Sequence, residues 1–444
     1  MYAVIGAGPM GLAAARNLCK YDIPFVGFEQ HSDVGGLWDI DNPHSTMYET
    51  AHLISSKSTT EFAEFPIPAS VATYPHHSEM RQYFRDYARH FDLYRHYRFA
   101  TRVVWVERDG DGWLVTTEAE GERQVQRFDG VLIANGTLHH PNIPELPGQF
   151  AGELMHSCSY RSPEIFKGKR VLIVGCGNSG ADIAVDAVHH ARKVDISVRR
   201  GYYFVPKFIF GKPTDTIGGR LTLPRPLKQF LDGLLVRAVM GKPSQYGLPD
   251  PDYRMYESHP VMNSLILHHI GQGDIGPRPD IAAIDGHTVT FKDGSRGEYD
   301  LILLATGYKL HYPFIDRAEL NWPQDAGAPQ LYLNVFHPRY DNLFVLGMVE
   351  AAGLGWEGRN EQAEMVALFI RALREGAPAA RELQELKRRL VTTRVDGGYR
   401  YLKLERMAYY VHKDSYRKVV RGHVRRLRAA VTLPPAAGAA KRAI

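Results

Sequence analysis

The chain has 444 residues, 44% hydrophobic and 23% charged, the length and composition of a globular protein of roughly two to three domains. Lys and Arg number 54 against 49 Asp and Glu, a net charge of +5 that is too mild at this length to argue for nucleic-acid binding. No run approaches the ~20 apolar residues of a membrane-spanning helix, no export signal fits ahead of Gly6, and the scattered Cys19, Cys158 and Cys176 suit neither a disulfide framework, a metal cluster nor a redox dithiol; a soluble cytoplasmic protein without a metal site is expected.

The first expected element is an apolar strand from Tyr2 that runs into Gly6-Ala7-Gly8-Pro9-Met10-Gly11, followed by an alanine-rich helix and a second strand ending at Glu29. This is the βαβ dinucleotide-binding unit. Its glycines allow a tight turn and a close approach of backbone to a pyrophosphate, which rests on the positive end of the helix. Glu29 follows Gly11 by 18 residues; a carboxylate there accepts from ribose hydroxyls and repels a 2′-phosphate, so the site suits FAD or NAD rather than NADP. Gln30 beside it joins the same site. In the next turn, Asp33 to Trp38, the paired glycines let backbone lie against a cofactor while Trp38 covers an apolar surface, which adds Gly36, Leu37 and Trp38.

Val103 to Phe128 alternates apolar and polar residues and breaks at Asp109 to Gly112, as a small antiparallel meander would, with Val103 placed at the cofactor. Asp129 to Gly136 and Asp300 to Gly307 share one layout, a buried strand ending in a glycine turn. They contribute Ala134 and Gly136 to the first site and Ala305, Thr306 and Gly307 to the second. Pro141 to Gly148 and Tyr160 to Gly168 read as the linker between the two units, with a return crossing at Tyr308 to Pro313.

A second βαβ unit spans Arg170 to Arg200, around Gly175-Cys176-Gly177-Asn178-Ser179-Gly180. Its second strand ends in Arg199 and Arg200 where the first ends in an acid. A guanidinium pair suits a 2′-phosphate, which favours NADPH over NADH. Residues 201–265 leave this scheme: they hold Tyr202, Tyr203, Phe204, Phe208 and Phe210, and a helix from about Pro226 to Met240, and are expected as an insertion near the active-site cleft. Residues 416–428 carry Arg417, Lys418, Arg421, Arg425, Arg426 and Arg428 with Tyr416, Val419, Val420, Val424 and Leu427 at helical spacing. A solvated basic face is expected there, and peripheral contact with an anionic membrane is the alternative.

The fold class that follows is α/β, with two dinucleotide-binding (Rossmann-like) domains. An NADPH domain at 165–305, carrying the insertion 201–265, interrupts an FAD domain at 1–160 and 310–432, and a disordered tail occupies 433–444. Two such sites on one chain imply two redox carriers that meet, FAD in the first and NADPH in the second.

Between the fingerprints, Phe150-Ala-Gly152-Glu-Leu-Met-His156-Ser-Cys-Ser-Tyr160 resembles the F-x-G-x-x-x-H-x-x-x-(F/Y) signature of flavin-containing monooxygenases. The resemblance extends from Gly6 through Trp38 to Tyr308 and covers most of the chain. It implies that NADPH reduces FAD, that a flavin hydroperoxide forms with O2, and that one oxygen atom passes to a soft nucleophile, an amine nitrogen or sulfide sulfur. Tyr160 is carried over as a cofactor residue, and His156 is expected to support the linker rather than to transfer protons.

One departure bears on the chemistry: in Met47-Tyr48-Glu-Thr-Ala-His52-Leu-Ile54-Ser55-Ser56-Lys57 the family's asparagine is replaced by Ile54. His52 or Ser55 is the expected substitute for the lost amide. The partners implied are a small-molecule substrate and O2, with a homo-oligomer left open. A Baeyer–Villiger enzyme acting on ketones is one alternative, although its signature ends in tryptophan where this chain has Tyr160. An uncoupled NADPH oxidase or redox-sensing flavoprotein is the other.

Overall fold

The computed structural model describes residues 1–217 and 223–433. Two five-stranded parallel sheets organise the chain, and each is built around a run of consecutive buried apolar residues, the pattern of strands covered on both faces. In the first, Tyr2–Ile5 is central, flanked by Phe25–Phe28 and Gly130–Ile133, with Tyr97–Arg98 and Leu343–Val345 at the edges. The second places Arg170–Val174 centrally, between Lys193–Ser197 and Leu301–Leu304, with Ile275–Arg278 and Glu153–His156 outermost. The two sheets therefore share one plan: the strand entering each glycine loop lies between its βαβ partner and the strand of the repeated Ala-x-Gly turn.

The helix after each glycine loop is small-residue-rich on the side facing the sheet, and this sets how close it sits. In Pro9–Lys20, Leu12, Ala13, Ala14, Ala15 and Leu18 are buried, and proline at the first turn removes an amide that would otherwise lack a partner. A Cβ on Gly11 would stand 1.8 Å from the Gly6 carbonyl oxygen, and one on Gly180 2.1 Å from that of Gly175, so only glycine admits this approach. An antiparallel meander of Arg102–Asp109, Gly112–Ala119 and Glu122–Phe128 covers the first sheet and buries Trp113 and Phe128 against its face.

The two crossings between the sheets lie side by side. His140–Pro141 pairs antiparallel with Tyr308–Lys309. The Asn142 amide donates to the Gly307 carbonyl at 2.9 Å, and the Thr306 hydroxyl donates to the Asn142 carbonyl at 2.6 Å.

The basic C-terminal helix, Lys413–Ala429, buries Tyr416, Val420, Val424 and Leu427 against Gly355–Arg374, and its basic face is solvated as expected, with Lys418, Arg421, Arg425, Arg426 and Arg428 exposed while several of the arginines also pair with acids. Arg417 and Arg421 both reach Glu361 (2.5 and 2.8 Å), Arg428 reaches Glu364 (2.6 Å) and Arg426 reaches Glu382 (2.9 Å). In the insertion, the helix spans Arg225–Met240, but it turns Leu227, Phe230, Leu231 and Leu234 outward. Residues 434–444 of the expected tail and residues 218–222 of the insertion lie outside the described residues. Among the described residues, no helix is long and apolar enough to cross a membrane.

Candidate active site

Each glycine loop leaves its central strand with a residue at positive φ, Gly6 at 103° and Gly175 at 101°, and opens at the N-terminus of its helix. Orphan amides and the helix dipole make both ends attractive to phosphate. A second glycine turn lies directly on the first loop: the Gly35 amide donates to the Ala7 carbonyl at 3.0 Å, and a Cβ on Gly36 would come within 2.9 Å of Gly8 Cα. Glu29 closes this cradle. Its carboxylate, 6% exposed, accepts from the Ala7 amide at 2.6 Å and the His31 amide at 2.9 Å. Burial raises its pKa, and the two amides act in the opposite sense. At the second loop, a Cβ on Gly177 would meet nothing within 4 Å, which leaves room for a ligand against the backbone. Asn178 holds the insertion over that loop, accepting from the Met262 amide at 2.7 Å and donating to the Pro260 carbonyl at 3.4 Å.

Both loops open into one cavity of about 1120 Å³. Gly6, Gly8, Pro9, Met10, Glu29, Gln30, Gly36, Leu37, Trp38, Val103, Ala134 and Gly136 line it from the first sheet, and Gly177, Asn178, Ser179, Gly180, Ala305 and Gly307 from the second. These surfaces have the features that dinucleotides require: backbone cradles without side-chain obstruction, the Glu29 carboxylate at the end of the strand beside the first loop, and apolar cover from Trp38, which stands edge-on to Trp356 at 6.0 Å.

Other expected residues fall outside the wall. Gly11, Gly175 and Thr306 do not line the cavity; the two glycines serve helix–strand contact, and Thr306 stitches the crossings. Tyr160 does not line the cavity: it is fully buried, stacks on Phe166 and donates to Asp186 at 3.0 Å, where the chain enters the second sheet's core. Arg199 and Arg200 follow the Lys193–Ser197 strand as anticipated but stand beyond the cavity lining, Arg200 lying 3.7 Å from Asp252. His156 is buried, accepts from the Cys158 amide at 3.0 Å and packs edge-on to Tyr308, a structural placement.

Ile54, His52 and Ser55 all line the cavity. The Ser55 hydroxyl is hydrogen-bonded to that of Thr60 at 2.7 Å, and His52 is exposed, with Nδ1 2.8 Å from the Thr50 carbonyl and its ring edge-on to His76. Sequence reading missed several neighbours. Asp215 of the insertion accepts from the Ser56 amide (2.7 Å) and the Thr59 hydroxyl (2.5 Å), while its other oxygen is buried without a partner among the described residues. His140 and His311 stack at 4.1 Å, and burial holds nearby His139 down to about 4. Glu350, Arg359 and Arg406 form a charged patch of the same wall. Nothing in the spacing of these residues links them.

A family model described as Flavin-binding monooxygenase-like matches residues 1–425. Flavin-containing monooxygenase 5 of Oryctolagus cuniculus is 30% identical over 400 residues, covering 84% of this chain and 73% of that protein. Flavin-containing monooxygenase 1 of Homo sapiens is 30% identical over 411 residues, covering 87% and 76%. Among solved structures, a flavin-containing monooxygenase from Stenotrophomonas maltophilia superposes with a TM-score of 0.63 at 22% identity, covering 84% of this chain and 98% of that one. A cyclohexanone monooxygenase mutant from Rhodococcus sp. Phi1 bound to NADP+ does so with 0.71 at 21%, covering 98% and 99%. At these identities the superpositions establish a shared fold.

Proposed function

Since the chain belongs to the flavin-binding monooxygenase-like family, and is thereby an NADPH-dependent oxidoreductase using FAD and NADPH, we propose that it inserts one oxygen atom of O2 into an amine nitrogen or sulfide sulfur. NADPH supplies the hydride, the substrate gains one oxygen atom, and the second leaves as water. The observation that carries this reading is the single cavity into which both glycine loops open. FAD is assigned to the first loop, with Glu29 on its ribose, and NADPH to the second, with Arg199 and Arg200 toward its 2′-phosphate; residues 1–160 with 310–432, and 165–305, are the corresponding domains. When bound, FAD supplies the oxygen chemistry.

The chain's own residues bind, orient and exclude water. Trp38 and Trp356 form an apolar wall, the Asn178 contacts draw Pro260 and Met262 across the opening, and Asp215 pins the segment after Ile54. A dry, ordered pocket favours transfer of oxygen to a soft nucleophile over its loss as peroxide. Scattered cysteines and the wide nucleotide site suit a cytoplasmic setting, where NADPH is available.

Ile54 favours a second reading, an NADPH oxidase that releases peroxide, because this part of the wall offers no amide to the cofactor. Incubation of the flavin-loaded protein with NADPH, air and separately a tertiary amine, a thioether or a cyclic ketone tests both. N-oxide or sulfoxide formation is expected. A lactone as the main product would replace the proposed chemistry with ketone oxidation, and peroxide equal to the NADPH consumed would establish the oxidase.

A further inference from the structure

We propose that Arg406 is a phosphate anchor for the pyrophosphate of the nicotinamide dinucleotide, reaching the second glycine loop from the half of the chain that carries the first sheet. The inference rests on the placement of NADPH at Gly175–Gly180 and adds a contact that neither fingerprint contains.

Arg406 belongs to the short helical turn Glu405–Tyr409, which is tied to the loop beyond the first sheet's edge strand: the Glu350 amide donates to the Tyr409 carbonyl at 3.3 Å and the Val411 amide to the Glu350 carbonyl at 2.8 Å. Its side chain is walled by protein yet 39% accessible, because it opens into the cavity. Nε is buried and has no hydrogen-bond partner among the described residues. The nearest carboxylate, Glu350, stands 3.4 Å from Arg406 and 3.8 Å from Arg359. One acid thus serves two guanidiniums at long range, and this patch of wall carries an uncompensated positive charge that an anionic ligand would satisfy.

The path from Arg406 leads to the second loop. His259, bonded to the Tyr410 hydroxyl at 3.0 Å, is next to Pro260, whose carbonyl accepts from Asn178 of the loop. Burial, reinforced by Arg406, holds His259 neutral, so it adds no positive charge there. Arg406 and the second glycine loop thus line one cavity and are linked through Tyr410, His259, Pro260 and Asn178. Arginine is suited to that anchoring role, offering forked donors and a permanent charge to phosphate oxygens.

Flavin-loaded wild type, R406A, R406K, E350Q and R199A, each titrated with NADP+ and NAD+ through the flavin absorbance change, provide the test. R406A is expected to weaken both nucleotides alike, by roughly 10- to 100-fold, the loss typical of one charged hydrogen-bonded contact. R406K should recover part of that loss, E350Q should bind both nucleotides several-fold tighter, and R199A should lose affinity for NADP+ alone. Flavin content and Tm are expected to stay at wild-type values in E350Q and R406K, which carry the test if R406A loses flavin. Unchanged nucleotide affinity in R406A or R406K, a loss confined to NADP+, or no gain in E350Q would overturn the assignment. A wild-type protein that retains flavin but binds neither nucleotide would instead overturn the placement of NADPH at the second loop.

Discussion

Ile54 puts a branched hydrocarbon into a wall whose neighbours, Ser55 and His52, are hydrogen-bonded to Thr60 and to the Thr50 carbonyl. Of the two His52 ring nitrogens only Nδ1 is engaged among the described residues, and the Ser55 hydroxyl makes a single bond, so either side chain keeps hydrogen-bonding capacity beside Ile54. I54N, which returns an amide to this wall, is expected to lower the fraction of NADPH that ends as peroxide by roughly two- to tenfold, the worth of one hydrogen bond; a peroxide assay against NADPH consumption reads it. What was legible at this scale was whatever backbone geometry forces into the sequence. Gly6, Gly11, Gly175 and Gly180 are dictated by positive φ or by contacts no Cβ could survive, and Glu29 by its distance from the loop. Arg406, Glu350 and Asp215 carry no such signature. They come together from distant parts of the chain, and no local rule ties an arginine at 406 to an asparagine at 178.

The Lys413–Ala429 helix shows where pattern reading stops among elements. Its apolar stripe was readable and is buried as its spacing demands. Its cations are largely exposed, as read, but the acids that several of them meet were not legible because these lie on other helices, as with Arg417 and Glu361, which are separated by 56 residues. Glu361, with 10% of its side chain exposed, accepts from two arginines, whereas the Glu382 side chain is 54% exposed and meets one. Removing the first leaves two guanidiniums partly desolvated. E361A is expected to cost about 2 kcal/mol in stability, below the range for fully buried pairs, and E382A no more than about 0.5 kcal/mol. Denaturant unfolding monitored by circular dichroism measures the difference.

For the molecule as a whole, several histidines are folded in as neutral rings. Burial, then Lys387, holds His337 down to about 3, and its Nδ1 accepts from the Tyr340 amide at 2.9 Å; burial, then Arg426, holds His423 down to about 4. A histidine whose pKa falls on folding is protonated first in the unfolded chain. Stability is therefore full above the ordinary value of 6.5 and is lost as pH drops from there toward 4, by about 1.4 kcal/mol per pH unit for each ring. Thermal melts are expected to show Tm flat above pH 7 and falling steeply between pH 6 and 4, with H423Q flattening part of the slope. The duplicated sheet plan was readable because each unit repeats its own strand, loop and strand. The crossings were expected at 141–148 and 308–313, but that they pair with each other was not legible, since Tyr308–Lys309 and His140–Pro141 are too short to carry a pattern. That ribbon has a mechanical meaning. A chain that leaves and returns through one stitched band brings both connections to one place, while contacts such as His259 to Tyr410 and Ser56 to Asp215 bind the halves elsewhere. Loosening one stitch, as in T306V, is expected to raise hydrogen exchange at 140–142 and 306–309 together, the mark of one joint band rather than two separate tethers.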